Sequence, residues 1–121
     1  QKYVDAFYEK YPGVRRYYDE LLENARKNGF VETYFGRRRY IPGVNDANKT
    51  MRSIAEREAM NMPVQGTAAD MIKIAMIELD AKIREKQLLG KMILQVHDEL
   101  VFDPPVSEKE VFEKMVQETM E

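Results

Sequence analysis

The stretch KMILQVHDELVFD, residues 91–103, holds two apolar runs, 91–96 and 100–103, joined through His97, Asp98 and Glu99. The runs are rich in Ile, Val, Leu and Phe, which suit a pleated, half-buried surface. Three polar residues between two such runs predict a β-hairpin with His-Asp-Glu at its tip. Ionised Asp98 and Glu99 are hard oxygen ligands of the kind Mg²⁺ takes one or two at a time, with water and substrate phosphate completing the shell. A solvated turn is the plainer alternative. A Ser-His-Asp hydrolase is poorly supported, because Asp98 adjoins His97 in sequence and no nucleophile elbow occurs elsewhere.

Outward from this hairpin the chain reads mostly as helix. Residues 49–61 and 62–86 predict two helices, the second with Ala68, Ile72, Ala75, Met76, Leu79 and Ile83 on one face. Pro63 lies at their junction, where it cannot donate to the Ala59 carbonyl and should kink or break the helix. After Pro104-Pro105, Ser107 and Glu110 have the spacing of a capping box opening a last helix over about 108–121. Residues 1–11 and 14–28 predict helices separated by Pro12-Gly13, with Gly29 where a left-handed cap belongs. Val31, Thr33, Phe35, Tyr40 and Ile41 around a Gly36-Arg37 turn predict a second hairpin over about 30–42, followed by a loop over 43–48. The expected class is α+β, mostly helical with two β-hairpins, in a single partial domain spanning 1–121.

Composition narrows the function classes. With 121 residues, 44% hydrophobic and 33% charged, the chain is that of one globular domain and neither a disordered nor a membrane protein. No apolar run approaches the roughly 20 residues of a membrane helix, and the first residues do not form a signal peptide, so a cytoplasmic protein with no membrane partner is expected. The absence of cysteine excludes disulfides, a thiolate nucleophile and a Cys-type zinc site. A first residue that is not Met, and a helical pattern running to Glu121 without a stop signal, predict a fragment. The net charge of −2 is segregated: residues 33–57 carry +4 and residues 98–121 carry −6. Such a chain can hold phosphate in one place and a divalent cation in another.

Two further patterns carry chemistry. Arg57, Asn61 and Gln65 are spaced by four and share one face of a continuous helix. Each can donate to purine N3 and pyrimidine O2, acceptors present in the minor groove of every base pair. The alternative is a merely polar helix face. In GRRRY, residues 36–40, Arg37, Arg38 and Arg39 make a compact cationic tip suited to phosphate, or to guarding an exposed strand edge. Met60, Met62, Met71 and Met76 read as core filling.

Taken in order, VETYFGRRRYIP (31–42), AEREAMNMPVQGTAAD (55–70) and LQVHDEL (94–100) resemble the C-terminal polymerase region of family A DNA polymerases, the bacterial DNA polymerase I type. The resemblance covers almost the whole chain. It implies a fragment of the polymerase palm and adjoining fingers, part of a DNA-directed DNA polymerase acting in DNA replication or repair by two-metal phosphoryl transfer. It implies primer-template DNA and deoxynucleoside triphosphates as partners, and two Mg²⁺ ions in the complete site. Asp98 matches the family's second catalytic, metal-holding aspartate, with Glu99 beside it in a less essential part and His97 near the primer terminus. Arg57, Asn61 and Gln65 match positions that contact the minor groove of the duplex. The family's other catalytic aspartate, in a motif like DYSxIELR, and the fingers helix that grips the triphosphate are absent from these residues. The fragment alone is therefore expected to be inactive and to need the remainder of the polymerase. A noncatalytic duplex-DNA-binding module and a metal-dependent nuclease are the alternatives.

Overall fold

A computed structural model describes residues 2–120; Gln1 and Glu121, the outer ends of the first and last expected helices, lie outside the described residues. The elements are α1 (Lys2–Lys10), α2 (Pro12–Asn28), β1 (Phe30–Glu32), β2 (Arg38–Tyr40), α3 (Lys49–Glu85), β3 (Lys91–Val96), β4 (Glu99–Asp103), a 3₁₀ turn (Val106–Glu108) and α4 (Lys109–Met120). The strands make two separate two-stranded antiparallel sheets, β1-β2 and β3-β4. The chain divides into two compact units that meet between Thr67 and Ala68.

In the first unit, Pro12 and Gly13 do not separate two helices but lie in the first turn of α2. Pro12 is at the start of that helix, where its missing N–H has no partner to lose and its fixed φ is already helical. The helix stops at Gly29, whose φ of 79° is left-handed and whose N–H donates to the Ala25 carbonyl at 2.8 Å, the simple αL cap. The strands of the following hairpin are shorter than expected. Thr33–Arg37 forms the connection, so Phe35 lies at an exposed tip and not in a strand. The tip closes on itself: the Thr33 N–H donates to the Arg37 carbonyl, and the Arg37 N–H donates to Thr33 Oγ1. Ala25, Val31, Ile41, Val44, Ala55, Ala59 and Met62 form the buried core, with Leu21 and Leu22 against it. Arg26 pairs with Glu56 at 2.7 Å, and Asn45 Nδ2 donates to the Arg26 carbonyl. These contacts tie the end of α2 to α3 and to the loop before it.

The two helices expected over 49–61 and 62–86 are one. Asn48 caps it, its Oδ1 accepting the N–H groups of Thr50 and Met51. Pro63 sits inside α3 without interrupting it. The lost hydrogen bond is a local cost that a long helix tolerates when tertiary packing holds both flanks. Here Ala59, Met62 and Pro63 are themselves buried.

The second unit packs the C-terminal end of α3 against the β3-β4 hairpin and α4. Leu79, Ile83, Phe112 and Met115 are its buried core, joined by Leu88, Met92, Leu100, Phe102 and Val116. The expected apolar face of α3 is buried only at that end: Ile72, Ala75 and Met76 are half-buried and Ala68 is exposed. The last helix does not begin at a capping box, because Ser107 lies within the 3₁₀ turn and α4 starts at Lys109. Glu108 serves a different purpose. Its carboxylate accepts the N–H groups of Leu89 and Gly90 at 3.0–3.1 Å, closing the turn between α3 and β3 with charge-assisted bonds.

Candidate nucleic-acid interface

The β3-β4 hairpin is tighter than its sequence suggested. Val96 pairs with Glu99, leaving His97 and Asp98 as the two-residue turn and placing Glu99 at the head of β4. His97 adopts a φ of 54°, the left-handed conformation that two-residue hairpins demand at their first central position and that only glycine adopts without cost. Gln95 Nε2 donates to the His97 carbonyl at 3.1 Å and braces the turn. The register slips between Met92 and Leu94, so Ile93 is an extra residue on β3. After that bulge Gln95, Leu100 and Phe102 share one face while Leu94, Val96 and Val101 share the other. Leu100 and Phe102 join the core; Leu94, Val96 and Val101 are 55%, 42% and 39% exposed.

Asp98 and Glu99 are both exposed. Among the described residues, no group of three or more His, Cys, Asp or Glu is placed to hold a metal ion. The pair fits Mg²⁺ as a partial donor set: one or two carboxylates is what that ion takes from protein when phosphates and water supply the rest.

In the first unit, Arg57, Asn61 and Gln65 are all exposed, while Ala55, Ala59 and Met62 on the other side of α3 are buried. The four-residue spacing thus produces a row of donors on the helix face turned away from the core. Arg57 Nε also reaches the Ser53 carbonyl at 3.4 Å.

The three consecutive arginines, read together from sequence as one cationic tip, are divided by strand alternation. Arg38 faces Glu32 across the hairpin, with Nε to Oε1 at 2.6 Å, and its guanidinium lies 4.6 Å from the centre of the Phe30 ring. The hydrogen bond and the charge of Glu32 raise the Arg38 pKa above its already high ordinary value. Arg37 and Arg39 turn to α3: Arg37 Nη2 donates to the Gly66 carbonyl at 3.1 Å, and Arg39 pairs with Glu58. Each arginine therefore has an acceptor within the chain. All three, with Met62, Gln65 and Gly66, line a cleft of about 350 Å³. Gly66-Thr67 beside Pro63 is the sequence's own signal of close backbone approach, and in the structure that pair receives Arg37 and Tyr34. What sequence reading missed is Thr33 as the hairpin residue seated against Gly66.

The whole chain, residues 1–121, matches the family described as DNA polymerase family A. It is 49% identical over 119 residues to DNA polymerase I of Bacillus subtilis (strain 168), an alignment covering 98% of this chain and 14% of that protein. It is 46% identical over 121 residues to DNA polymerase I of Lactococcus lactis subsp. cremoris (strain MG1363), covering all of this chain and again 14% of the relative. A solved structure, the POL domain of Pol1 from M. smegmatis in complex with DNA primer-template and dNTP, superposes with a TM-score of 0.93 at 42% identity. That match covers 97% of this chain and 21% of the other. The chain thus spans about one-seventh of the length of these relatives, and with a match along its entire length it belongs to DNA polymerase family A.

Proposed function

We propose that the 121 residues act as a segment of a longer, cytoplasmic DNA-directed DNA polymerase, forming part of its palm and adjoining fingers as one partial polymerase region. In that enzyme the primer 3′-hydroxyl attacks the α-phosphate of a deoxynucleoside triphosphate and pyrophosphate leaves. The observation that carries the reading is the exposed row Arg57, Asn61 and Gln65 in a chain so similar to a polymerase domain solved with primer-template DNA.

Each residue of the row donates to acceptors common to all base pairs, so the row tests the shape of the newest pairs without reading sequence. Arg37, Arg38 and Arg39 border the same cleft as Gln65 and add positive potential for the DNA backbone, beyond the acceptors they already hold. Asp98 is the carboxylate that would hold Mg²⁺, with Glu99 in a supporting part, and His97 lies toward the primer terminus. Asp98 would hold a share of two Mg²⁺ ions, which when bound would supply charge neutralisation for the phosphoryl transfer.

The test is single-turnover primer extension by the longer enzyme carrying Gln65→Ala. Extension of matched ends should fall to a similar degree for all four base pairs, and extension of mismatched ends should change less. A loss confined to one base pair, or none, would overturn the minor-groove role. Duplex binding with no turnover by the wild-type enzyme would favour a binding module instead.

A further inference from the structure

We infer that the tip of the β1-β2 hairpin, Thr33–Arg37, is a clamp on α3 that positions Gln65; Thr33, Arg37, Gly66 and Thr67 are positioning residues. The inference rests on the minor-groove reading of Gln65 and adds to it the device that holds the donor in place.

The need for a clamp follows from the sequence of the helix. Pro63 withholds the N–H that would bond the Ala59 carbonyl, and Gly66 is the least helix-favouring residue after proline. The turn that carries Gln65 lies between these two weak points. The hairpin compensates with two hydrogen bonds in the same unit, and a third feature shows how closely it approaches. Arg37 Nη2 donates to the Gly66 carbonyl at 3.1 Å, and the Tyr34 N–H donates to Thr67 Oγ1 at 2.9 Å. The third is steric: a Cβ at Gly66 would stand 2.7 Å from Thr33 Cγ2. Thr33 cannot retreat easily, since it is 5% exposed and both its backbone N–H and its Oγ1 are engaged with Arg37. The absence of a side chain at Gly66 is therefore what lets the hairpin seat against the helix. Gln65, one residue earlier, is exposed beside that seat. A shift of the hairpin moves the backbone from which the donor projects, and a minor-groove hydrogen bond is lost within a fraction of an ångström.

The experiment uses the longer polymerase with Gly66→Ala, Gln65→Ala, the two combined, and Gly66→Ala with Thr33→Ser. Thr33→Ser removes the offending methyl and keeps the hydroxyl that accepts from Arg37. Single-turnover extension of matched and mismatched primers is the readout. Gly66→Ala should lower matched extension by about tenfold, the loss of one hydrogen bond, with mismatched ends less affected. The combination with Gln65→Ala should be no worse than Gln65→Ala alone within about twofold, and Thr33→Ser should recover most of the loss. Multiplying effects of Gly66→Ala and Gln65→Ala, or wild-type extension by Gly66→Ala while Gln65→Ala is impaired, would overturn the clamp and leave the role of Gln65 standing. No effect of Gln65→Ala would remove both. Where Gly66→Ala lowers the melting temperature too far to assay, Thr67→Val removes only the acceptor of the Tyr34 N–H, and the same non-additivity with Gln65→Ala decides.

Discussion

Asp98 occupies the second position of a two-residue turn whose first residue, His97, is held at a φ of 54°. A left-handed non-glycine residue costs on the order of 1–2 kcal/mol, and such strain is retained where a side chain is needed at that position. His97→Gly should therefore relax the turn, slowing amide exchange at Glu99, while impairing primer extension in the longer polymerase. Faster exchange would show that the turn is not strained at His97. Asp98→Asn removes one unit of charge from the carboxylate pair without touching a phosphate contact. Synthesis by the longer enzyme should fall by several orders of magnitude, about the scale of losing a catalytic metal ligand, while duplex affinity by titration stays near wild type. Turnover close to normal would sink the metal role. The identities of these residues were legible in the sequence because a His-Asp-Glu run between apolar strands is chemically distinctive. Their division into two turn residues and one strand residue was not, since it depends on the pairing of Val96 with Glu99.

At the end of α3 the chain makes a Schellman cap with glutamine in the place glycine favours. Gln87 has a φ of 52°, its N–H donates to the Arg84 carbonyl, and the Leu88 N–H reaches the Ile83 carbonyl at 3.0 Å. Leu88 then joins the cluster that contains Ile83. Gln87→Gly keeps both hydrogen bonds and removes the left-handed penalty, so it should stabilise this cap by about 0.5–1 kcal/mol. Slower hydrogen exchange at the Leu88 amide is the measurement; acceleration would show that the Gln87 side chain contributes something the geometry omits. Helix ends elsewhere were readable where one residue decides them, as at Gly29. The continuity of α3 through Pro63 was not readable, because a proline's local cost is visible in sequence and the burial that offsets it is not. The capping-box pattern of Ser107 with Glu110 misled for a related reason: Ser107 lies within a 3₁₀ turn ahead of α4, and that turn is tied to the chain just before β3 by the Glu108 carboxylate, which accepts the Leu89 and Gly90 amides across 19 and 18 residues.

Across the whole chain, exposed apolar surface is abundant for its size. Leu94, Val96 and Val101 form the uncovered face of the β3-β4 hairpin, and Ile93 at the bulge is 58% exposed. A two-stranded sheet with one bare face and unpaired edges associates with whatever can cover it. The isolated chain should self-associate, visible as rising light scattering with concentration and binding of an apolar dye; a stable monomer that binds none would contradict this. It should also show no primer extension with Mg²⁺, primed template and all four triphosphates, since Asp98 and Glu99 stand without a third metal-ligating partner among the described residues. Extension free of contaminating polymerase would overturn that. No described helix is long and apolar enough to cross a membrane. By itself the sequence determined the helical character, the two hairpins, the donor row on one helix face and the resemblance to family A polymerases, because periodicity, spacing and motif order are properties of neighbours along the chain. Only the tertiary structure decided that Arg37 and Arg39 face α3 while Arg38 faces Glu32, that α3 passes unbroken through Pro63, and that Gly66 receives the hairpin. Apart from the Arg38–Glu32 pair, which spans only 6 residues, the contacts behind those outcomes join residues 19 to 33 apart, such as Arg39 with Glu58, Arg37 with Gly66 and Tyr34 with Thr67, and their free energy arises only when both segments are already packed together.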